Sequence, residues 1–376
     1  MKTSWKRCKT LLTAAAVVLL AWLLLSQNNA AAEGARRGLS LCGTVIIPSL
    51  FPFLVLAAAL PNLEAGLLLC APARLLGGLY AAPPRLAPAL LMSWLGGYPA
   101  GAKVLAGQLD AGELSSQNVE RALCFCVNSG PAFLVTVVGL GLFGDLRVGA
   151  MLLGCQLLAG VLTARLLLGS GGVGALPPCP TCNRQYPPMA ELLVSSVTAA
   201  TTATLSICAF VVLMGALSTL LAATGVTGAL CTGLERISGG WLSPDAAGVL
   251  VGGSLEICGG CALAAGLPPL TLLTVVPFLL SFGGLSVLCQ VAAMVGGRGV
   301  RLGRFVLSRF LHGLLTGLLA YPLLRGHCTA LPVGLLVAPK LYVDDKTLPG
   351  TLLLLALVAT LCRILEPSLQ EKRGIK

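Results

Sequence analysis

The sequence GGYPAGAK at residues 96–103 interrupts a long apolar region with glycines, a proline and a lysine. Proline lacks the N–H that a helix interior needs and glycine weakens a helix, so one helix ends here and another begins. The break frees backbone N–H and C=O groups, which a bilayer tolerates only against protein or beside a water-filled cavity. The stretch therefore predicts a re-entrant hairpin rather than a simple transmembrane helix.

A second interruption, LEICGG at residues 255–260, lies in the other half of the chain. A broken apolar segment follows each interruption, with NSGP at residues 128–131 and SFGG at residues 281–284. These segments share one spacing with Gly160 and Gly313, because 281 minus 128 and 313 minus 160 are both 153. Landmarks that recur in the same order indicate a duplicated unit.

The composition places the chain in lipid. Hydrophobic residues make up 56% of the 376 residues and charged residues only 10%, against about 25% charged in a soluble domain. Apolar runs close to the roughly 20 residues that cross a bilayer recur along the chain. The net charge of +11 comes from basic residues beside apolar segments. This pattern indicates how the spans are oriented in the membrane and not a nucleic-acid site. The sequence predicts an all-α polytopic membrane protein with no nucleic-acid partner.

The hydropathy pattern divides the chain into five parts. They are an N-terminal membrane anchor or signal-like span (1–30), a first repeat (31–169), a linker (170–188), a second, inverted repeat (189–325), and a segment with a polar loop, a last span and a basic tail (326–376). The basic start and short apolar core of the first part leave cleavage as a signal peptide open. The count is about eight transmembrane helices.

The charges predict how the repeats are oriented. Three spans plus one hairpin give an odd number of crossings, so the second unit is inverted relative to the first. The basic cluster of Arg298, Arg301 and Arg304 belongs on the cytoplasmic side, whereas its counterpart holds Arg147 balanced by Asp145. Both termini are basic and therefore cytoplasmic, in a multi-pass protein of the cell membrane. Inverted repeats with interrupted helices are typical of secondary transporters.

Glu256 is the most distinctive single residue, because a carboxyl group in an apolar segment is costly and by default functional. It is predicted to carry a proton or cation or to contact substrate. The structural alternatives are an ion pair with Lys103 or a neutral acid bonded to the loop backbone. Lys103 itself either attracts an anion or extends its amine to the membrane surface.

The predicted solute-binding residues lie at the interruptions and broken segments. For the polar members the alternative is hydrogen bonding between helices, and for the tyrosine a place in an interfacial aromatic belt. The full set is Gly97, Tyr98, Pro99, Lys103, Asn128, Ser129, Gly130, Glu256, Ser281, Ser286 and Gln290.

Recognisable catalytic and cofactor motifs are missing from the sequence. There is no phosphate-binding loop, no His-Glu-x-x-His motif and no Gly-x-Ser-x-Gly elbow, so we expect no enzyme and no cofactor. Cys179 and Cys182 have the spacing of a zinc or redox pair, but no second pair lies nearby, which favours a solvated linker. No metal site is predicted.

The motifs resemble those of a known family, the YlbJ-type sporulation integral membrane proteins, which carry the nucleoside-recognition Gate domain. The resemblance spans about residues 39–324 and rests on GYPAGAK (97–103), CVNSGP (126–131), LEI (255–257) and SFGGLSV (281–287) with Gln290. It implies a core similar to that of concentrative nucleoside transporters, a membrane around the forespore, and a role in moving dipicolinic acid from the mother cell towards the forespore.

The favoured function is a transporter or facilitator of a small polar or anionic solute. The alternatives are a nucleoside-type secondary transporter and a non-transporting scaffold or assembly factor for spore formation. The partners expected are the solute and the lipid bilayer. The sequence leaves open whether a proton or cation is coupled and whether the chain forms a homo-oligomer.

Overall fold

A computed structural model describes residues 2–60, 71–177 and 187–326 of the chain, and all regular structure there is helical. The first-half helices are α1 (Lys2–Ser26), α2 (Asn28–Ala59), α3 (Ala71–Gly77), α4 (Ala87–Leu95), α5 (Tyr98–Asp110), α6 (Ser116–Ala122), α7 (Ala132–Leu140) and α8 (Leu146–Leu168). The second-half helices are α9 (Met189–Ala223), α10 (Val226–Ile237), α11 (Pro244–Leu255), α12 (Ile257–Ala264), α13 (Pro269–Phe282), α14 (Gly284–Val295) and α15 (Gly303–Leu324).

Local sequence sets several of these helix ends. The Asp145 carboxylate accepts from the Arg147 N–H at 2.8 Å and so caps the start of α8. Ser115 and Asn118 form a reciprocal capping box at the start of α6. The Ser243 hydroxyl caps α11, whose first residue is a proline.

Five stretches of the described residues are long and apolar enough to cross a membrane. They are Asn28–Ala59, Leu146–Gly171, Met189–Ala223, Pro269–Val295 and Gly303–Leu324. The predicted first span falls in α1, where Val17–Ser26 is a shorter apolar helix. The predicted last span, at residues 348–365, lies outside the described residues, as do Cys179 and Cys182. The count of eight therefore stays a prediction.

The first long helices of the two halves, α2 and α9, pack at very short range. A Cβ added to Gly34 would lie 2.3 Å from the Gly215 carbonyl oxygen, and one on Gly38 would lie 2.9 Å from the Val211 carbonyl oxygen. Contacts advance along α2 as they retreat along α9, so the two helices are antiparallel. Small residues allow this approach, which is how helices associate where no hydrophobic force acts between them.

The last long helices of the two halves also meet. The Nε2 atom of His312 on α15 lies 2.8 Å from the carbonyl oxygen of Gln156 on α8. Each of these helices packs on the broken segment of its own half, since a Cβ on Gly149 would lie 2.6 Å from Leu134 O and one on Gly313 would lie 2.8 Å from Phe278 O. The described helices thus occur in one order in both halves: a long helix, a helical hairpin, a broken segment and a long helix. The repeat and its domain boundaries stay predictions.

Polar loops from the two halves join at one end of the structure. Arg298 holds Asp110 through two bonds, Nε to Oδ1 at 2.7 Å and Nη2 to Oδ2 at 2.8 Å. The Ser116 hydroxyl donates to the Arg298 carbonyl oxygen at 3.0 Å. The Arg298 guanidinium holds the pKa of Asp110 below its usual range. Both side chains are partly exposed to solvent, so this pair fixes geometry more than it adds stability.

Candidate functional site

The first hairpin turns between α4 and α5 at Gly96 and Gly97. Gly97 has φ +78°, a conformation that favours glycine, and Pro99 follows in the first turn of α5, where its missing N–H costs nothing. A Cβ on Gly97 would lie 3.4 Å from the Gly130 backbone nitrogen. The tip of the first hairpin therefore rests, backbone on backbone, against the break of its own half.

The second hairpin turns at Glu256, whose extended backbone separates α11 from α12. Its carboxylate is the N-cap of α12, with Oε1 accepting from the Cys258 N–H at 2.9 Å and Oε2 from the Gly259 N–H at 2.7 Å. The positive end of the helix dipole adds to these bonds. Glu256 is only 5% exposed, and no ion pair in the described part of the chain joins it to Lys103. It is a buried carboxylate held by backbone donors.

The second broken segment also rests against its own hairpin. Gly283, with φ +83°, ends α13, and α14 begins at the next residue. A Cβ on Gly284 would lie 2.9 Å from the Gly253 carbonyl oxygen and 3.3 Å from that of Leu255. Each half thus joins one hairpin tip to one helix break, at the positions that the sequence interruptions predict.

A cavity lies where the two hairpin tips meet. Its volume is about 650 Å³ when the solvent-filled mouth is included. The first tip and break contribute Gly97, Tyr98, Pro99 and Gly130, and the second half contributes Glu256, Ser286 and Gln290. Apolar side chains of α2 and α9 line much of the remainder, among them Leu50, Phe53, Leu54, Ile207 and Val211.

Two polar side chains in this cavity are available to a ligand. Ser286 and Gln290 lie one turn apart on α14, which places them on the same helix face. Both are buried, both line the cavity, and neither side chain has a hydrogen-bond partner among the described residues. Their polar atoms face the cavity and have no protein partner, so they can hydrogen-bond a polar solute or water.

A hydrogen-bonded chain links the two halves beside the cavity. The Ser129 hydroxyl donates to the Tyr98 hydroxyl at 2.9 Å, and Tyr98 donates to the Leu280 carbonyl oxygen at 2.5 Å. Leu280 is in the last turn of α13, where carbonyl groups lack an intrahelical donor. Tyr98 therefore satisfies the helix end that the break at Gly283 creates in the opposite half.

Four predicted site residues do not line the cavity. Asn128 is buried and its Nδ2 donates to Ser93 Oγ at 3.1 Å and to Phe125 O at 2.8 Å. Ser129 lies behind Tyr98, and Ser281 shares a 2.7 Å hydrogen bond with the hydroxyl of Thr316. Asn128 and Ser129, in the first break, thus bond side chains of α4 and α5, and Ser281 bonds a side chain of α15. Lys103 is exposed on α5.

A buried polar layer lies behind the breaks, at residues outside the predicted set. On α8, Gln156 donates through Nε2 to the Ser129 carbonyl oxygen at 3.1 Å. On α15, Arg309 and His312 are fully buried. A usable signal existed, since Arg309 is a charged residue inside an apolar span, the same criterion that selected Glu256.

The described residues show no group of three or more His, Cys, Asp or Glu side chains that could hold a metal ion. The cavity instead offers a carboxylate, hydroxyls, an amide and the backbone of the first helix break, within apolar walls. That combination suits the binding and release of a small solute with polar groups on an apolar body.

Comparison with known proteins places the chain beside one curated relative. It is 26% identical over 334 residues to the sporulation integral membrane protein YlbJ of Bacillus subtilis (strain 168), an alignment that covers 82% of this chain and 81% of the relative. No family model matches the chain, and no solved structure matches it significantly. The relative's name states no enzymatic reaction. Several long apolar helices and this similarity identify a multi-pass membrane protein and confirm the resemblance to the YlbJ-type sporulation integral membrane proteins.

Proposed function

We propose that this chain is a membrane transporter or facilitator that binds a small polar or anionic solute between its two hairpin tips. The observation that carries this proposal is the cavity at which both tips meet, with unpartnered Ser286 and Gln290 facing it. A scaffold protein has no need of a cavity with unpartnered polar side chains where two hairpin tips meet. Transporters place their substrate sites where discontinuous helices of two repeats come together.

The arrangement of the helices supports alternating access by two related units. Corresponding long helices α2 and α9 are antiparallel, as an inverted repeat requires, and the hairpins α4–α5 and α11–α12 each rest on the break of their own half. We propose that both hairpins are re-entrant. Their freed backbone groups then face protein and the cavity rather than lipid.

The solute that we propose is dipicolinic acid, moved towards the forespore. The support is the similarity to a sporulation membrane protein and the composition of the cavity. Apolar walls suit an aromatic ring, and the Ser286 hydroxyl and Gln290 amide suit its carboxylates. An ionised Glu256 would repel the dianion of dipicolinic acid in the same cavity. A proton on Glu256 or on the solute would weaken this repulsion. We therefore propose that Glu256 couples solute to a proton.

Reconstitution tests the proposal. Purified protein in proteoliposomes should take up radiolabelled dipicolinate faster than protein-free vesicles and faster than it takes up uridine, and an inward proton gradient should increase the rate. Uptake of uridine alone would reject dipicolinate in favour of a nucleoside-type transporter. Uptake of neither solute by folded protein would favour a scaffold that acts through partners.

Variants at Glu256 separate a coupling role from a capping role. Asparagine and aspartate both cap helix N-termini well, so Glu256→Asn and Glu256→Asp should both keep α12 folded. Only Glu256→Asp keeps a carboxyl group, so only this variant should retain stimulation by a proton gradient. Equal, gradient-stimulated uptake by both variants would reject the coupling role.

A further inference from the structure

Arg309 is the largest side chain that the described structure buries completely, and it lies on α15 within an apolar span. Its Nη1 donates to the Val127 carbonyl oxygen, and its Nη2 donates to the Cys124 carbonyl oxygen at 2.8 Å. The Phe305 ring centroid lies 5.6 Å from Cζ, within the range of a cation–π contact. A positive charge is therefore fixed against backbone of the other half.

The two carbonyl groups belong to the first break. Between Ala122, where α6 ends, and Ala132, where α7 begins, no helix forms. Neither Cys124 O nor Val127 O accepts a backbone hydrogen bond among the described residues. Inside a membrane such freed carbonyls need another partner, and the guanidinium supplies it.

The charge of Arg309 is balanced by dipoles rather than by an acid. No ion pair of the described residues includes Arg309, and its partners are neutral carbonyl oxygens. Freed carbonyls at a broken helix, beside the negative end of a helix, are the groups with which transporters hold a coupling cation. The surroundings of Arg309 are thus those of a cation site, filled by a side chain.

The equivalent position in the other half is neutral. The residue 153 positions earlier, the spacing of the predicted repeat, is Gln156, which donates to the Ser129 carbonyl oxygen. The break of the first half therefore accepts hydrogen bonds from Gln156 on α8 and from Arg309 on α15, and only Arg309 is charged.

We infer that Arg309 is a resident cation at the first helix break and takes the place of a bound metal cation. It is a positioning residue, because it holds Cys124 and Val127 and does not line the cavity. The break then needs no Na⁺, and the coupling ion is the proton that we propose at Glu256. This inference deepens the proposed function and rests on it only for the identity of the coupling ion.

The test uses the purified full chain in detergent, melted in NaCl and in N-methyl-D-glucamine chloride of equal ionic strength. The wild type should melt at the same temperature in both salts. Arg309→Ala should melt lower, and millimolar Na⁺ or methylguanidinium should raise its melting temperature saturably. Arg309→Lys, which keeps the charge, should be less affected than Arg309→Ala. The matched control is Arg304→Ala, an exposed position on the same helix, which should behave as the wild type.

A wild-type protein that Na⁺ stabilises saturably would overturn the inference, even if Arg309→Ala cannot be purified. The inference would also be overturned if Arg309→Ala melted at the wild-type temperature and neither Na⁺ nor methylguanidinium changed that temperature. Failure of the proposed function is distinct, because Na⁺-independent melting together with no solute uptake would reject transport and leave the role of Arg309 standing.

Discussion

Gly101 should be a position where a single methyl group damages the first hairpin. A Cβ there would lie 2.0 Å from the Cys126 carbonyl oxygen and 2.7 Å from Ser93 Cβ. Carbon atoms pack well at about 3.5–4.0 Å, so Gly101→Ala must move α5 and the first break roughly 1 Å or more apart. Overpacking of this kind costs about 1–3 kcal/mol. Rigid backbone surrounds the site, which favours the upper part of that range.

Gly107, on the same helix, is the matched control because no atom lies within 4 Å of its added Cβ. Gly107→Ala should be neutral or stabilising by about 0.5–1 kcal/mol, since alanine is the better helix former. Melting of the purified variants in detergent should place Gly101→Ala below the wild type and Gly107→Ala at or above it. The same contrast should appear between Gly260→Ala and Gly248→Ala in the second hairpin. Equal melting temperatures for Gly101→Ala and Gly107→Ala would refute the close packing of hairpin on break.

Three further perturbations test other contacts. Tyr98→Phe leaves the Leu280 carbonyl oxygen without its donor and should lower stability by about 1–3 kcal/mol in a melting experiment. Gly38→Leu should separate α2 from α9, seen as loss of a monodisperse peak in size-exclusion chromatography. Asp110→Asn removes the charge pair with Arg298. Because folding lowers the pKa of Asp110, the pair stabilises the fold at pH values above the ordinary pKa of Asp110. This stabilisation is lost as the pH falls through the folded pKa. Wild type and Asp110→Asn should therefore differ in melting temperature at neutral pH and converge in acid, and an unchanged difference would contradict this.

The positions of the helix breaks could be located from the sequence. Glycine and proline end helices for local reasons, so GGYPAGAK at residues 96–103 and SFGG at residues 281–284 predict where α4, α5, α13 and α14 begin or end. The meeting of Tyr98 with Leu280 could not be predicted, because it depends on how the two halves pack.

For the same reason, the sequence could not show which of the predicted solute-site residues line the cavity. Asn128 and Ser281 are polar residues at breaks, as are Ser286 and Gln290, and composition does not distinguish a side chain that bonds a neighbouring helix from one that faces a cavity. The helix face on which a side chain lies decides whether it reaches the cavity. That face depends on the residue at which each helix resumes after its break. Arg309 was missed although its charge marked it.

The most direct test of the central claim is uptake of radiolabelled dipicolinate by proteoliposomes that contain the double variant Ser286→Ala/Gln290→Ala. Two hydrogen bonds of about 1 kcal/mol each predict a solute affinity roughly thirtyfold weaker than in the wild type. The matched control is Gln117→Ala, an exposed glutamine outside the cavity, which should transport as the wild type does. If the folded double variant takes up dipicolinate with wild-type affinity and rate, the cavity between the hairpin tips is not the solute site.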